Sequence, residues 1–468
     1  MKRIKYSIGA ILVSTLMLSS CSESFFDINT DPNNPAEATP SLVLPSAVAG
    51  SAYVLGGYYQ AVGSFWTQQY AQAPAASQWT EWESYNLTEE NFNTQFETLY
   101  TGALYDYEYV RKNTAASESW SFYAISTLMQ AYTFQVLADL YDQIPFTEAL
   151  QGDKILQPHY NTGATVYDSL FVRIDNAMSK DFSNSSSVNP GASDVIFKGD
   201  MDKWQKFANT LKLKMYLRYV NVDSTKYTDE IVALLAENNF LDVDAAFSSY
   251  KAEETGYNPF FNTFLHRLGG NIIANSTLVD LLTEKGDSRL ESFFDASETG
   301  SAYTGLASGL SKSITGKTNK EYATPNITGL SSVYFFTVEE TYFLIAEAQA
   351  RYGTPAAAEA AYKSGIDASF ESLGLPTVAA TLYPYKGIKS IMEQKWIAST
   401  NKRAIEAFLD YNRTGYPDFF TTSAISVLNG ADRPKRFFFP TGERKTNANT
   451  PTKVALNVNV WWGKTIKK

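Results

Sequence analysis

The chain has 468 residues, with 39 Lys and Arg against 49 Asp and Glu, and a formal charge of −10. That balance lacks the basic footprint nucleic acid requires, so no nucleic-acid partner is expected. The single cysteine, Cys21, excludes a disulfide framework and a cysteine-ligated zinc or iron–sulfur site, so stability must come from a large core.

Residues 1–20 begin with Lys2, Arg3 and Lys5, continue through the apolar run Ile8 to Leu18, and close on Ser19 and Ser20. A basic start, a short apolar stretch and small residues before a cut describe an export signal, too short to span a membrane as a helix. Leu18-Ser19-Ser20-Cys21 fits the lipobox of a bacterial lipoprotein. The expectation is removal of 1–20 and lipidation at Cys21, which takes the charge to about −13 and tethers the chain to a membrane. Residues 21–41 then read as an extended, turn-rich tether and 42–468 as a single domain. Asp27, Asn29, Asp31 and Asn33 imitate a calcium loop. Pro32 and Ala38 stand where that loop needs glycine and glutamate, so Asx turns are the better reading. No cofactor is expected; a structural calcium is neither claimed nor dismissed.

From Leu42 the pattern is mostly helical. Apolar positions at three- and four-residue spacing run through 42–72, with Gly50, Gly56 and Gly57 among small residues suited to close packing. A polar loop, Ala73 to Glu83, follows. Helical periodicity resumes at 89–113 and 118–142, stopped by Pro145, and again at 163–180, 203–220, 228–238 and 275–285. Residues 183–200 and 286–335 are rich in Ser, Gly, Asn and Thr and read as long loops with a few short strands. The last helical block is 337–411. No later stretch has the ~18 consecutive apolar residues of a membrane span, so the body is expected to be soluble.

Within the last block, Tyr342, Ile345 and Ala346, then Ala358, Tyr362 and Gly365, match the two helices of a tetratricopeptide repeat. Gln349 and Phe370 depart from that pattern, and no second unit matches as well. The fold class expected is mostly α: helical hairpins as scaffold, with an irregular, long-loop half carrying the ligand.

Catalytic motifs are scarce. His159 and His266 each stand alone, and there is no GxSxG, Walker A or convincing GxGxxG sequence. A carboxylate pair of the glycosidase type assembles in space and is not legible in sequence. Binding has more support. The chain holds 30 Tyr, 29 Phe and 8 Trp, and most such rings belong to the core. In the loop from Gln78 to Asn86, however, Trp79, Trp82 and Tyr85 sit beside amides and carboxylates, with Trp66 and Tyr70 on the preceding helix. Flat rings stack on the apolar face of a sugar while Asn86 and its neighbours bond hydroxyls; alternatively the two tryptophans pin the loop to the body. Tyr257 with Asn258, and Tyr303 with Tyr322 and Tyr334, are further candidates.

The C-terminal third carries a resemblance. Leu344 to Ala348, Ile391-Met392-Glu393-Gln394-Lys395-Trp396, Glu406 to Pro417, Arg433 to Pro440 and Val460-Trp461-Trp462 appear in the order of the SusD/RagB family. Asp27 to Pro35, Ala138 to Pro145, Asn258-Pro259 and Asp287 to Leu290 agree with it. Phe408 and Asn412 are departures, where the family often has tryptophan and arginine. The chain thus resembles outer-membrane nutrient-binding lipoproteins of Bacteroidetes. That resemblance implies a non-enzymatic lid over a SusC-like TonB-dependent transporter, with an oligosaccharide as ligand and the extracellular side of the outer membrane as location. Lys395, Trp396, Arg413 and Pro417 then read as scaffold. Two alternatives stay open: an exported glycan-degrading enzyme, and the same scaffold binding peptides.

Overall fold

A computed structural model describes residues 38–300, 302–377 and 379–464. Cys21, the signal peptide, the 21–37 part of the tether and the Asp27–Asn33 imitation of a calcium loop lie outside the described residues. Elements follow the periodicity closely. α1 (Pro40–Val54) runs through a π-helical turn at Leu55–Tyr59 into α2 (Gln60–Trp66). A short α3 (Thr80–Ser84) lies inside the stretch expected to be loop. α4 (Asn93–Thr98) leads through a second π-helical turn into α5 (Tyr105–Ala116), followed by α6 (Trp120–Tyr141) and α7 (Gly163–Met178). α8 (Met201–Arg218), α9 (Thr228–Glu237) and α10 (Ser276–Lys285) come next. The last block is α11 (Val338–Tyr352), α12 (Pro355–Glu371), α13 (Ile388–Ala398) and α14 (Ala404–Thr414). The fold is mostly α, and among the described residues strands form only two-stranded ladders.

α6 is buried from Ser121 to Tyr141 with one interruption at Tyr123, which marks it as the central helix. The continuous helical run Pro40–Trp66 corrects one expectation. It is 27 residues long with a mean hydropathy of 1.2 in its most apolar window, the length and composition of a membrane crossing. Half of that window is buried, with Leu44, Ala47, Val48, Ala52, Val62 and Trp66 among the buried residues of the run, while Leu42 and Tyr53 are exposed.

α11 and α12 form the tetratricopeptide-like hairpin. Thr354 caps α12, its Oγ accepting from Ala357 N at 3.2 Å, and Pro355 takes the first turn, where a missing N–H costs nothing. A Cβ on Gly365 would lie 2.7 Å from Phe343, so glycine lets the helices close. The ring in that groove is Phe343; Tyr342, singled out from the repeat pattern, is only half-buried.

Charged residues from five helices meet inside. Arg218 Nε, Nη2 and Nη1 reach Asp139, Glu406 and Asp410 at 3.0, 2.9 and 3.2 Å. Lys214 pairs Glu406 at 3.0 Å, Lys395 pairs Asp410 at 2.7 Å, and Arg413 bridges Glu347 and Asp410. Burial alone would raise the Glu347 carboxyl, but the Arg413 and Arg351 guanidinium groups outweigh it and hold it at about 2. Trp396 is buried and donates from Nε1 to the Thr67 carbonyl at 2.8 Å. Lys395, Trp396 and Arg413 are therefore internal to the scaffold.

Candidate binding site

The site begins with two glycines. A Cβ on Gly56 would fall 2.1 Å from Val333, and one on Gly57 would fall 3.3 Å from Pro259. Their small size lets the π-helical turn press directly on the irregular half, and the turn presents Tyr58 beside Tyr53 of α1. From the irregular half, Asn258 organises the opposing wall. Its Oδ1 accepts from Phe260 N and Phe261 N at 2.9 and 3.1 Å, and its Nδ2 donates to the Ser331 carbonyl at 2.8 Å. That capped start leads into a third π-helical turn, Phe261–Arg267, which carries Thr263 and Phe264. α4 supplies the remaining side through Thr94, Gln95 and Thr98. π-helical turns are rare and concentrate at functional sites.

The result is a cavity of about 140 Å³ lined by Tyr53, Tyr58, Pro259, Phe264, Gln95 and the three threonines, with Val54 and Gly57 at its base. Tyr53 is 57 % exposed, so one ring is open to solvent. The hydroxyls of Thr94, Thr98 and Thr263 have no hydrogen-bond partner among the described residues, and the buried Gln95 Oε1 has none either. Apolar rings beside unspent neutral hydrogen-bonding groups form a surface for a ligand with both apolar faces and hydroxyls. Burial pushes the Tyr58 phenol up, with the Glu81 carboxylate acting the same way, so that ring stays neutral.

Behind this cavity lies the tryptophan loop. Trp82 is 3 % exposed and packs edge-on against Tyr58 and Phe65, at ring separations of 4.8 and 5.6 Å. Trp79, 8 % exposed, lies 4.5 Å from Trp82 and 5.1 Å from Phe264. Trp66 is buried against Phe408 and Phe437 and donates from Nε1 to the Trp82 carbonyl at 3.2 Å. Tyr85 is buried at the left-handed C-terminus of α3, with φ of +60°, and the exposed Asn86 follows it. Glu83 fixes the loop from beneath: its carboxylate accepts from Gln72 N at 2.9 Å and Gly309 N at 3.0 Å.

The expectation that Trp66, Trp79, Trp82 and Tyr85 offer open faces is therefore corrected. Burying four large rings gains far more than leaving them in water, and Phe264 supplies the missing partner. They form the backing of the cavity. Of the second candidate pair, Asn258 is a buried cap, while the half-buried Tyr257 packs edge-on against Phe261 and His266 beside the same turn. The third set does not assemble: Tyr322 belongs to a small cluster with Ala71 and Ile273, and Tyr334 lies on the strand paired with Ala246. His159 pairs with Glu148 at 2.9 Å on the exposed surface and His266 stacks on Phe261; neither lines the cavity. Among the described residues no group of three or more His, Cys, Asp and Glu is placed to hold a metal ion. Sequence reasoning missed Tyr53, Tyr58, Gln95 and Phe264; the Gly56-Gly57-Tyr58 run was the available signal.

The fold is a scaffold of helical hairpins carrying an irregular half with an aromatic-lined cavity. Residues 32–440 match the SusD-like family described as starch-binding and associating with the outer membrane, and the chain belongs to that family. Comparison with curated proteins gives no match. Among solved structures, a SusD homologue from Bacteroides uniformis shares 21 % identity over 90 % of this chain and 99 % of its own, with a TM-score of 0.74. A chitin-binding protein shares 21 % identity, covering 91 % and 100 %, with a TM-score of 0.76. A chitin-binding SusD homologue from Flavobacterium johnsoniae shares 20 %, covering 90 % and 98 %, with a TM-score of 0.74. At this identity the likeness is one of fold.

Proposed function

We propose that this protein captures an oligosaccharide in the cavity between Tyr53, Tyr58 and Gln95 and passes it to a TonB-dependent transporter in the outer membrane. The observation that carries the reading is the pairing of an exposed ring, Tyr53, with the buried Gln95 Oε1, which has no partner among the described residues, and with the threonine hydroxyls that line the same cavity. Chitin binding by two proteins of the same fold supports a carbohydrate ligand. Lipidation at Cys21 and exposure on the outer face belong to the same proposal, as does the absence of catalysis. No carboxylate or histidine lines the cavity, and the acidic residues at the heart of the scaffold are committed to Arg and Lys.

A shallow, wet site built from one or two rings and a few hydrogen bonds gives modest affinity, suited to handing a ligand on. Affinity electrophoresis against a polysaccharide panel tests the reading. At least one neutral glycan is expected to retard the wild type, and Tyr53→Ala to weaken that retardation without lowering the melting temperature. New reducing ends accumulating at a sustained rate would instead identify a glycan-degrading enzyme. Retardation by none of the panel, together with binding of a peptide, would shift the ligand class.

A further inference from the structure

Taking the carbohydrate reading as its starting point, we infer that the cavity selects one uncharged sugar ring and rejects sugars bearing a carboxylate or sulfate. Of its ten lining residues none is charged. Its polar groups are the hydroxyls of three threonines and two tyrosines and one amide, with no carboxylate, ammonium or guanidinium among them. The charged neighbours strengthen the exclusion. Glu81 is close enough to Tyr58 to push its phenol up, so a charge beside the cavity is itself negative. The cation on the Phe261–Arg267 turn is already used, since Arg267 is held by Glu254 at 2.9 Å. An anionic ligand would therefore lose its hydration without gaining a counter-charge, which costs far more than a neutral hydroxyl exchanging water for a threonine.

Gln95 gives the selection a positive element. Its Oε1 is buried without a donor, and such an acceptor is costly until a ligand O–H or N–H reaches it. The volume of about 140 Å³ is well under the ~300 Å³ of a pocket that encloses a drug-sized ligand. One ring of a chain fits, and the remainder lies in solvent over Tyr53.

The test uses the neutral oligosaccharide that binds in the panel, and the same oligosaccharide with its C6 hydroxyls oxidised to carboxylates. Calorimetry of the full chain is expected to show the oxidised form binding at least about tenfold more weakly. The affinity of the neutral form should barely change between low and high salt. Gln95→Leu should weaken the neutral form roughly three- to tenfold. Thr94→Lys, at an exposed rim position, should narrow the gap between the two forms by supplying the missing cation. Equal or tighter binding of the oxidised form to the wild type would overturn the inference and leave the carbohydrate reading standing. Binding of no saccharide of either kind would overturn both.

Discussion

Truncating Trp82 separates a ring that touches ligand from one that supports those that do. The indole is 3 % exposed and contacts Tyr58, Phe65, Trp79 and Phe264, at ring separations from 4.5 to 6.2 Å. Removing a buried tryptophan side chain loses its transfer free energy and leaves a cavity, together about 3–5 kcal/mol. Unfolding entropy scales with chain length, and 468 residues imply on the order of 1 kcal/mol per degree. Trp82→Ala should thus lower the melting temperature by about 3–5 °C in a thermal scan. Tyr58 and Phe264 would lose their backing, so ligand affinity should fall as well. Tyr53→Ala, at a 57 % exposed position, should cost under ~0.5 kcal/mol of stability while also weakening binding. An unchanged melting temperature with lost binding in Trp82→Ala would return that ring to the ligand-facing surface and refute the argument from burial.

Arg413→Met should leave Glu347 buried without its main partner and cost about 3–5 kcal/mol in denaturant unfolding at pH 7. Because Glu347 is held at about 2 in the folded chain, the pair's contribution is present above the ordinary glutamate value and fades as pH falls toward 2. The deficit of Arg413→Met should shrink in the same window; a constant deficit would contradict this. Glu83 has the opposite sign. Burial raises its carboxyl to about 7 against the opposing pull of the Gln72 and Gly309 amides. Stability from this group is complete below the ordinary value of about 4.5 and is lost as pH rises through 7, on the order of 3 kcal/mol. The melting temperature of Glu83→Gln relative to wild type should therefore improve by about 3 °C between pH 5 and 8, and a flat difference would refute it. A Cβ on Gly63 would lie 2.4 Å from the backbone of Ala404 and Ile405. Gly63→Ala should force α2 and α14 apart at about 1–3 kcal/mol, measured by chemical denaturation.

Helix positions were legible because their signals are local. The Pro145 stop and the Ser- and Gly-rich breaks at 183–200 and 286–335 appear where sequence placed them, and the Thr354-Pro355 start of α12 divides the block read as 337–411. The cavity was not legible, because its walls come from residues 53–58, 94–98 and 259–264 and close only through π-helical turns. The periodicity test assumes 3.6 residues per turn and cannot see the extra residue. The tryptophan loop misled for a related reason. Its polar sequence says nothing of Phe264, far along the chain, which gives Trp79 and Trp82 their burial. Phe343 in place of Tyr342 against Gly365 is a one-residue slip, about 100° around a helix.

A crystal structure of the full chain with a neutral oligosaccharide from the binding panel tests the central claim most directly. One sugar ring is expected between Tyr53 and Tyr58, with a hydroxyl or amide donating to Gln95 Oε1 and the Trp79 and Trp82 rings still covered. Ligand bound elsewhere, with that cavity empty at saturating concentration, would contradict the account.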